Sequence, residues 1–154
     1  MKIAISVLTA LALTASVATL TDDKSLVIPA QDIKTQLADL VAKAKPTGSA
    51  AIANYGNLKL MINVRTASGV AEIHQNADDL MIVQEGTATL VTGGSIVDSK
   101  TGDNGEIRGT SLQGGTSKTV SLGDVVLVPA GVPHQILLAP GTVCKMMVAK
   151  VKEN

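Results

Sequence analysis

The chain of 154 residues holds two histidines, His74 and His134, and a single cysteine, Cys144. His74 stands in GVAEIHQNADDLMIVQEG, close to Glu72, Asn76, Asp78 and Asp79. His134 stands in LGDVVLVPAGVPHQILL, from Leu122 to Leu138, directly after a segment punctuated by Pro129, Gly131 and Pro133. Imidazole and carboxylate are the side chains that hold divalent metals and move protons near neutral pH. Glu72, His74 and Asn76 recur at the two-residue period of a strand, so an acid, an imidazole and an amide share one face. No other set competes. No serine lies in a Gly-x-Ser-x-Gly elbow, no glycine-rich loop has the phosphate-cradling pattern, and Cys144 has no histidine near it in sequence.

The stretch around His134 reads as strand, turn, strand. Val125 to Val128 is a β-branched and aliphatic run of the kind that fits a pleated surface. Gly123-Asp124 precede it and Pro129-Ala130-Gly131 follow it. Proline presets φ and glycine tolerates positive φ, so both ends are turns. Val132 precedes Pro133 and is pushed out of the helical region, which makes the chain extended again where His134 opens the next apolar run.

Gly123, then five residues, Pro129-x-Gly131, two residues and His134 resemble the second sequence motif of the cupins, spacing for spacing. That motif usually closes with Asn four residues after the histidine, where this chain has Leu138. The first cupin motif supplies His-x-His, a Glu three or four residues later, and a Gly after six more. Counting back from Gly86 sets Asp79 at the glutamate position, His74 at the second histidine and Glu72 at the first. In the other register His74 is the first histidine and Asn76 the second, and Asp79 then comes early. The resemblance implies a metal site of His74, His134 and Asp79, with Glu72 as ligand or general base, and a divalent ion: Mn, Fe, Ni or Zn. Two histidines with a carboxylate leave coordination positions open for chemistry. The chain departs from the family pattern in having Glu72 for a histidine and Asp79 for a glutamate, which favours harder ions.

Other segments must position these residues. Lys2 followed by the apolar stretch Ile3 to Ala18, with Ser16-Val17-Ala18 small at the cleavage positions, reads as a signal peptide over residues 1–18. It is short for a membrane span. Residues 19–55 read as a lead-in and helix. In AQDIKTQLADLVAKAK, Ile33, Leu37, Leu40, Val41 and Ala44 recur at three and four, an amphipathic helix that Pro46 and Gly48 stop. It is expected against the outside of a sheet or on a second subunit. From residue 56 to 152 the period becomes two. LKLMINVR sets Leu58, Leu60, Ile62 and Val64 against Lys59, Met61, Asn63 and Arg65, a strand with one buried face. Short strands follow at 80–84, 88–92, 95–98, around 107–112, 119–122, 125–128, 135–138 and 143–151, with Gly-rich turns between. The polar segment 99–118 reads as one long hairpin. Such a pattern is all-β, and the resemblance selects the double-stranded β-helix, a jelly-roll barrel, with one N-terminal amphipathic helix. GGSIVDSK followed by GEIRGTSLQGG resembles small exported cupins without an assigned reaction.

Composition narrows the functions. After a leader is removed, the remaining chain is the size of one domain. Basic and acidic residues balance at 13 each and no basic cluster stands out. With Tyr55 the lone aromatic there is no platform for bases, so nucleic-acid binding is disfavoured. One cysteine excludes an internal disulfide, and Cys144 within an apolar run reads as a small buried thiol. Without Phe or Trp the core must be aliphatic, and a pocket has no aromatic face for sugars or quaternary amines. Three readings follow: an exported metal-binding cupin with enzymatic chemistry on a small polar molecule; a binding module that holds such a molecule without turnover; and a structural homodimer, with Met146 and Met147 of the last strand at its interface.

Overall fold

The computed structural model describes residues 25–43, 46–102 and 104–153, with the backbone of Ala18–Thr19. The segment read as a signal peptide lies outside the described residues apart from the backbone of Ala18. Among the described residues no helix is long and apolar enough to cross a membrane. In chain order the elements are β1 (Ala18–Thr19), α1 (Ala30–Lys43), β2 (Thr47–Tyr55), β3 (Leu58–Arg65), β4 (Ala71–His74), β5 (Ala77–Glu85), β6 (Thr87–Thr92) and β7 (Ser95–Val97). They continue with β8 (Lys100–Thr101), β9 (Glu106–Gly109), β10 (Ser111–Gln113), β11 (Thr116–Ser121), β12 (Val125–Val128), β13 (His134–Leu137) and β14 (Cys144–Lys152).

Two six-stranded sheets form, ordered β1-β2-β3-β14-β5-β12 and β11-β6-β13-β4-β9-β8, with β7 and β10 as a separate pair. Met81 and Val83 of β5, Val126 and Val128 of β12, and Cys144 and Met146 of β14 face inward from the first sheet. Ala88 and Leu90 of β6, Val120 of β11 and Ile136 of β13 meet them from the second. Each fully buried aliphatic side chain contributes about 1.5–3 kcal/mol, so a core of this kind holds without aromatics. Cys144 is wholly buried within it. Met146 is a core residue at 2% exposure, so of the two methionines assigned to an interface only Met147, on the opposite face of β14, is placed to serve one.

Helix α1 lies on the outside of the first sheet. Its Leu37, with Ile33, Leu40 and Val41, packs on Ile52 of β2 and on Leu60, Ile62 and Val64 of β3. This changes the meaning of β3. Its apolar face is buried, but under the helix, and the face bearing Met61, Asn63 and Arg65 lines a cavity inside the barrel. Two further differences from the sequence reading concern boundaries. The sheet begins before residue 56, because β2 pairs along its length with β3. Residues 99–118 are not one hairpin: β8 and β9 make a short one, β10 pairs with β7, and β11 pairs with β6. The 3.6-residue and two-residue periods were readable, but which strand a polar segment pairs with is set by partners distant in sequence.

Candidate metal and ligand site

At one end of the barrel the inward positions turn polar. Glu72 and His74 lie two apart on β4, and β4 ends at His74. Asn76 falls in the exposed turn to β5, so Glu72 and His74, not His74 and Asn76, share the inward face. Asp79 follows Ala77 in the inward row of β5 and is buried. The turn Pro129–Val132 closes with a Val132 N–H to Pro129 carbonyl bond of 3.2 Å. Gly131 sits at its third position with φ 77°, where a β-carbon would be strained. The Gly131 N–H donates to the His74 carbonyl at 2.9 Å and the Ala130 N–H to Asp78 Oδ1 at 2.8 Å. Asp78 is thus not a solvated turn acid. It ties the start of β5 to the turn that delivers His134.

Register does the rest. His134 pairs with Glu72, His74 with Glu106, Glu72 with Arg108 and Lys150 with Asp79, and directly opposed side chains on one face lie within reach of each other. The four residues singled out from the sequence meet in one cavity. His74 Nε2 is 3.1 Å from Asp79 Oδ2, His134 Nε2 is 3.8 Å from both Asp79 Oδ2 and Glu72 Oε1, and the two imidazole centroids are 5.2 Å apart. Glu72, His74 and His134 can each offer one atom to a set lying within 4.8 Å of one another, a cluster capable of holding a metal ion.

The sequence reading did not find Arg65, Glu106, Arg108 and Lys150. Lys150 Nζ reaches His74 Nε2 at 3.0 Å and lies 3.6 Å from Asp79 Oδ1 and 3.5 Å from Glu106 Oε1. Arg108 bonds Glu106 at 2.7 Å and lies 3.5 Å from Glu72. Arg65 Nη2 is 3.8 Å from Glu72 Oε1. None belongs to a motif. The available signal was the period-two spacing of Glu106 with Arg108 and of Asn63 with Arg65 on strands whose polar face was taken as solvated.

The electrostatics follow from burial and pairing. Burial, the largest effect, pushes the Asp79 carboxyl up; the hydrogen bond from His74 and the charges of His74, Lys150 and His134 outweigh it and hold Asp79 below the usual carboxylate range. Glu106 is lowered in the same way, against its burial, by Lys150, His74 and Arg108. Burial lowers His134, outweighing the opposing pull of its bond to Val132 and of Glu72. His134 is therefore neutral at pH 7. Its Nδ1 lies 3.1 Å from the Val132 carbonyl, which can only accept, so the proton sits on Nδ1 and the Nε2 lone pair faces the cavity.

That lone pair confronts two carboxylate oxygens with no proton between them. Asp79 Oδ1 and His74 Nδ1 are buried without a well-directed hydrogen bond among the described residues. The electron-pair donors of Glu72, His74 and His134, within 4.8 Å of one another, fit a cation. The cavity beside them, about 320 Å³, is walled by Met61, Met81, Ile136, Met146 and Val148 on its apolar side and by Arg65, Asn63, Ser49 and Ser68 on its polar side.

No protein-family model matches the chain, and no curated protein matches it. Solved structures do. The protein BH2720 of Bacillus halodurans superposes with a TM-score of 0.57 at 17% identity, over 86% of this chain and 85% of that one. The cupin domain of Cnp3 from Schizosaccharomyces pombe gives 0.53 at 8% identity, over 71% of this chain and 63% of that one. The polyketide cyclase RemF from Streptomyces resistomycificus gives 0.51 at 18% identity, over 70% of this chain; the match spans 66% of the length of RemF. These likenesses, with the two facing antiparallel sheets and the outer helix, show that this chain has the cupin fold.

Proposed function

We propose that this protein holds a divalent metal ion through Glu72, His74 and His134, with Asp79 beside them, and binds a small polar molecule in the adjoining cavity. The observation that carries the reading is the convergence of Glu72, His74 and His134, each of which offers one atom to a set lying within 4.8 Å of one another. A bound ion would supply Lewis-acid polarisation of a ligand oxygen or activation of water. The chain's own residues do the positioning. Val132 fixes the His134 tautomer, Asp79 and Glu106 flank His74, and Arg65 and Arg108 lie beside Glu72 at the cavity wall. Glu72 is the residue placed to take a proton from a bound molecule, since it is the least buried of the four.

Metal analysis of protein purified without a histidine tag tests this. The wild type should carry close to one equivalent of Mn, Fe, Ni or Zn, and the His74→Ala His134→Ala double variant almost none. Equal, near-zero content in both would end the reading. A second reading is favoured by one contact, Lys150 Nζ at 3.0 Å from His74 Nε2: the ammonium serves as the cluster's cation, and the protein is a metal-free binding module. Export is part of the same proposal, supported by the leader-like Lys2 to Ala18; an exported protein should begin at Thr19. The partner we propose for the outer face of β12 is a second copy of the chain.

A further inference from the structure

We infer that the β3 wall of the cavity is a subsite for a small aliphatic carboxylate, gripped by the Arg65 guanidinium with Asn63 beside it. The inference rests on the reading of this cavity as a ligand site and adds the chemical class of the ligand; it does not depend on the metal.

Arg65 carries five N–H donors and its side chain is only 13% exposed. Those donors are poorly met. Nη1 reaches Thr47 Oγ1 at 3.5 Å, Nη2 lies 3.8 Å from Glu72 Oε1, and Nε has no hydrogen-bond partner among the described residues. A guanidinium taken out of water normally finds a carboxylate fork at 2.7–2.9 Å, and among the described residues this one has none. Asn63, two residues before it on the same face of β3, has among the described residues no partner for its buried Oδ1 and only a 3.4 Å contact from Nδ2 to Ser49. Both side chains line the cavity; Arg65 Nε and Asn63 Oδ1 are themselves covered, which leaves Nη1 and Nη2 of Arg65, met only at 3.5 and 3.8 Å, as the donors offered to a ligand.

The place of the guanidinium is built. Gly69 lies directly against it, and a β-carbon at that position would strike Nη1 of Arg65. Gly69 has no positive φ to explain it. It is itself pinned, by its N–H to the Ile136 carbonyl and by its carbonyl to Gln135 Nε2, each at 2.8 Å. A side chain at 69 would have to displace the guanidinium from its present position. Arg65, Arg108 and Lys150 line the cavity against Glu72 and Asp79, an excess of one positive charge that suits a singly charged planar acid better than a phosphate dianion. The methionine and valine walls, without an aromatic ring, suit a short aliphatic body.

Ligand-detected NMR titration with butyrate, its uncharged analogue butyramide, and inorganic phosphate tests this on chelator-treated protein and again with Zn²⁺ added. The expected result is saturable butyrate binding in both preparations, at least tenfold tighter than butyramide or phosphate, and weakened at least tenfold by Arg65→Met but not by Glu85→Gln, a change on the exposed end of β5 outside the cavity. Asn63→Asp provides a second measure should Arg65→Met fold poorly, because it sets an internal carboxylate beside Arg65; it should raise Tm and abolish butyrate binding. No butyrate binding, preference for phosphate, or binding unaffected by Asn63→Asp overturns the inference. Binding that needs Zn²⁺ and His134 but not Arg65 also overturns it while supporting the metal centre. Arg65-dependent binding in a protein that takes up no metal leaves the inference standing and removes the metal.

Discussion

At the scale of single residues, the cluster is a contest between two cations for the same electron pairs. Lys150 Nζ occupies the side of His74 and Asp79 that an incoming ion would use, and like charges a few ångströms apart repel by several kcal/mol even at an effective dielectric of about 20. Lys150→Met should therefore raise affinity for Mn²⁺ or Zn²⁺ by roughly tenfold or more, read by competition against a chromophoric chelator. Unchanged or weaker binding would show that the ammonium is not in the ion's way. His134 gives a second prediction, for metal-free protein. Because burial holds its folded value below the ordinary one, the unfolded chain takes up a proton first as pH falls. Stability is then fully present above about pH 6.5 and declines below it until the folded protein also protonates. The lowered Asp79 adds a later loss, as pH drops from about 4 through its depressed folded value. Thermal melts between pH 7.5 and 5 in a chelator should show a falling Tm for the wild type and a flatter profile for His134→Gln; parallel profiles would contradict the assignment.

At the scale of elements, the site depends on two strands of one sheet and one of the other keeping their register. Asp78 is the link that can be tested, since its carboxylate accepts the Ala130 N–H across 52 positions of sequence. Hydrogen bonds to charged groups are worth about 1.5–3 kcal/mol, so Asp78→Ala should cost about that much stability in denaturant melts and weaken metal binding by loosening the His134 turn; a change within about 0.5 kcal/mol would mean the turn holds itself. The motif glycines and prolines made this turn legible, because their backbone restrictions act locally. Glu72, His74, Asp79 and His134 were singled out because their spacing resembles the two cupin motifs. Arg65 and Asn63 were not. A strand that alternates apolar with polar reads as half-solvated, and only the helix packed on its apolar side turns the polar side into a cavity wall. Glu106 and Arg108 were missed because β9 pairs with β4, some 35 residues earlier in the chain, and nothing in a polar segment announces that partner.

At the scale of the whole molecule, the first sheet ends in an edge that other proteins usually protect. β12 is its last strand, and Val125 and Leu127 point outward at 64% and 65% exposure, with Leu122 at 70% just before them. Ile82 and Leu80 of β5 lie directly beside them and are only half-buried. Among the described residues no strand pairs with the outer edge of β12, and an edge strand with no lysine or proline within it invites pairing. Pairing with an identical edge about a two-fold axis would cover the backbone and the apolar side chains together, and such a closed arrangement is the commonest in homo-oligomers. Sedimentation velocity at tens of micromolar should therefore show a dimer. Leu127→Lys, which places a charge on the outer face without touching the core residues Val126 and Val128, should shift it to monomer while leaving the circular dichroism spectrum and the metal content unchanged. A wild type that sediments as a monomer, or a Leu127→Lys variant that stays dimeric, would remove this edge from the assembly and send the search for a partner to the exposed side of helix α1.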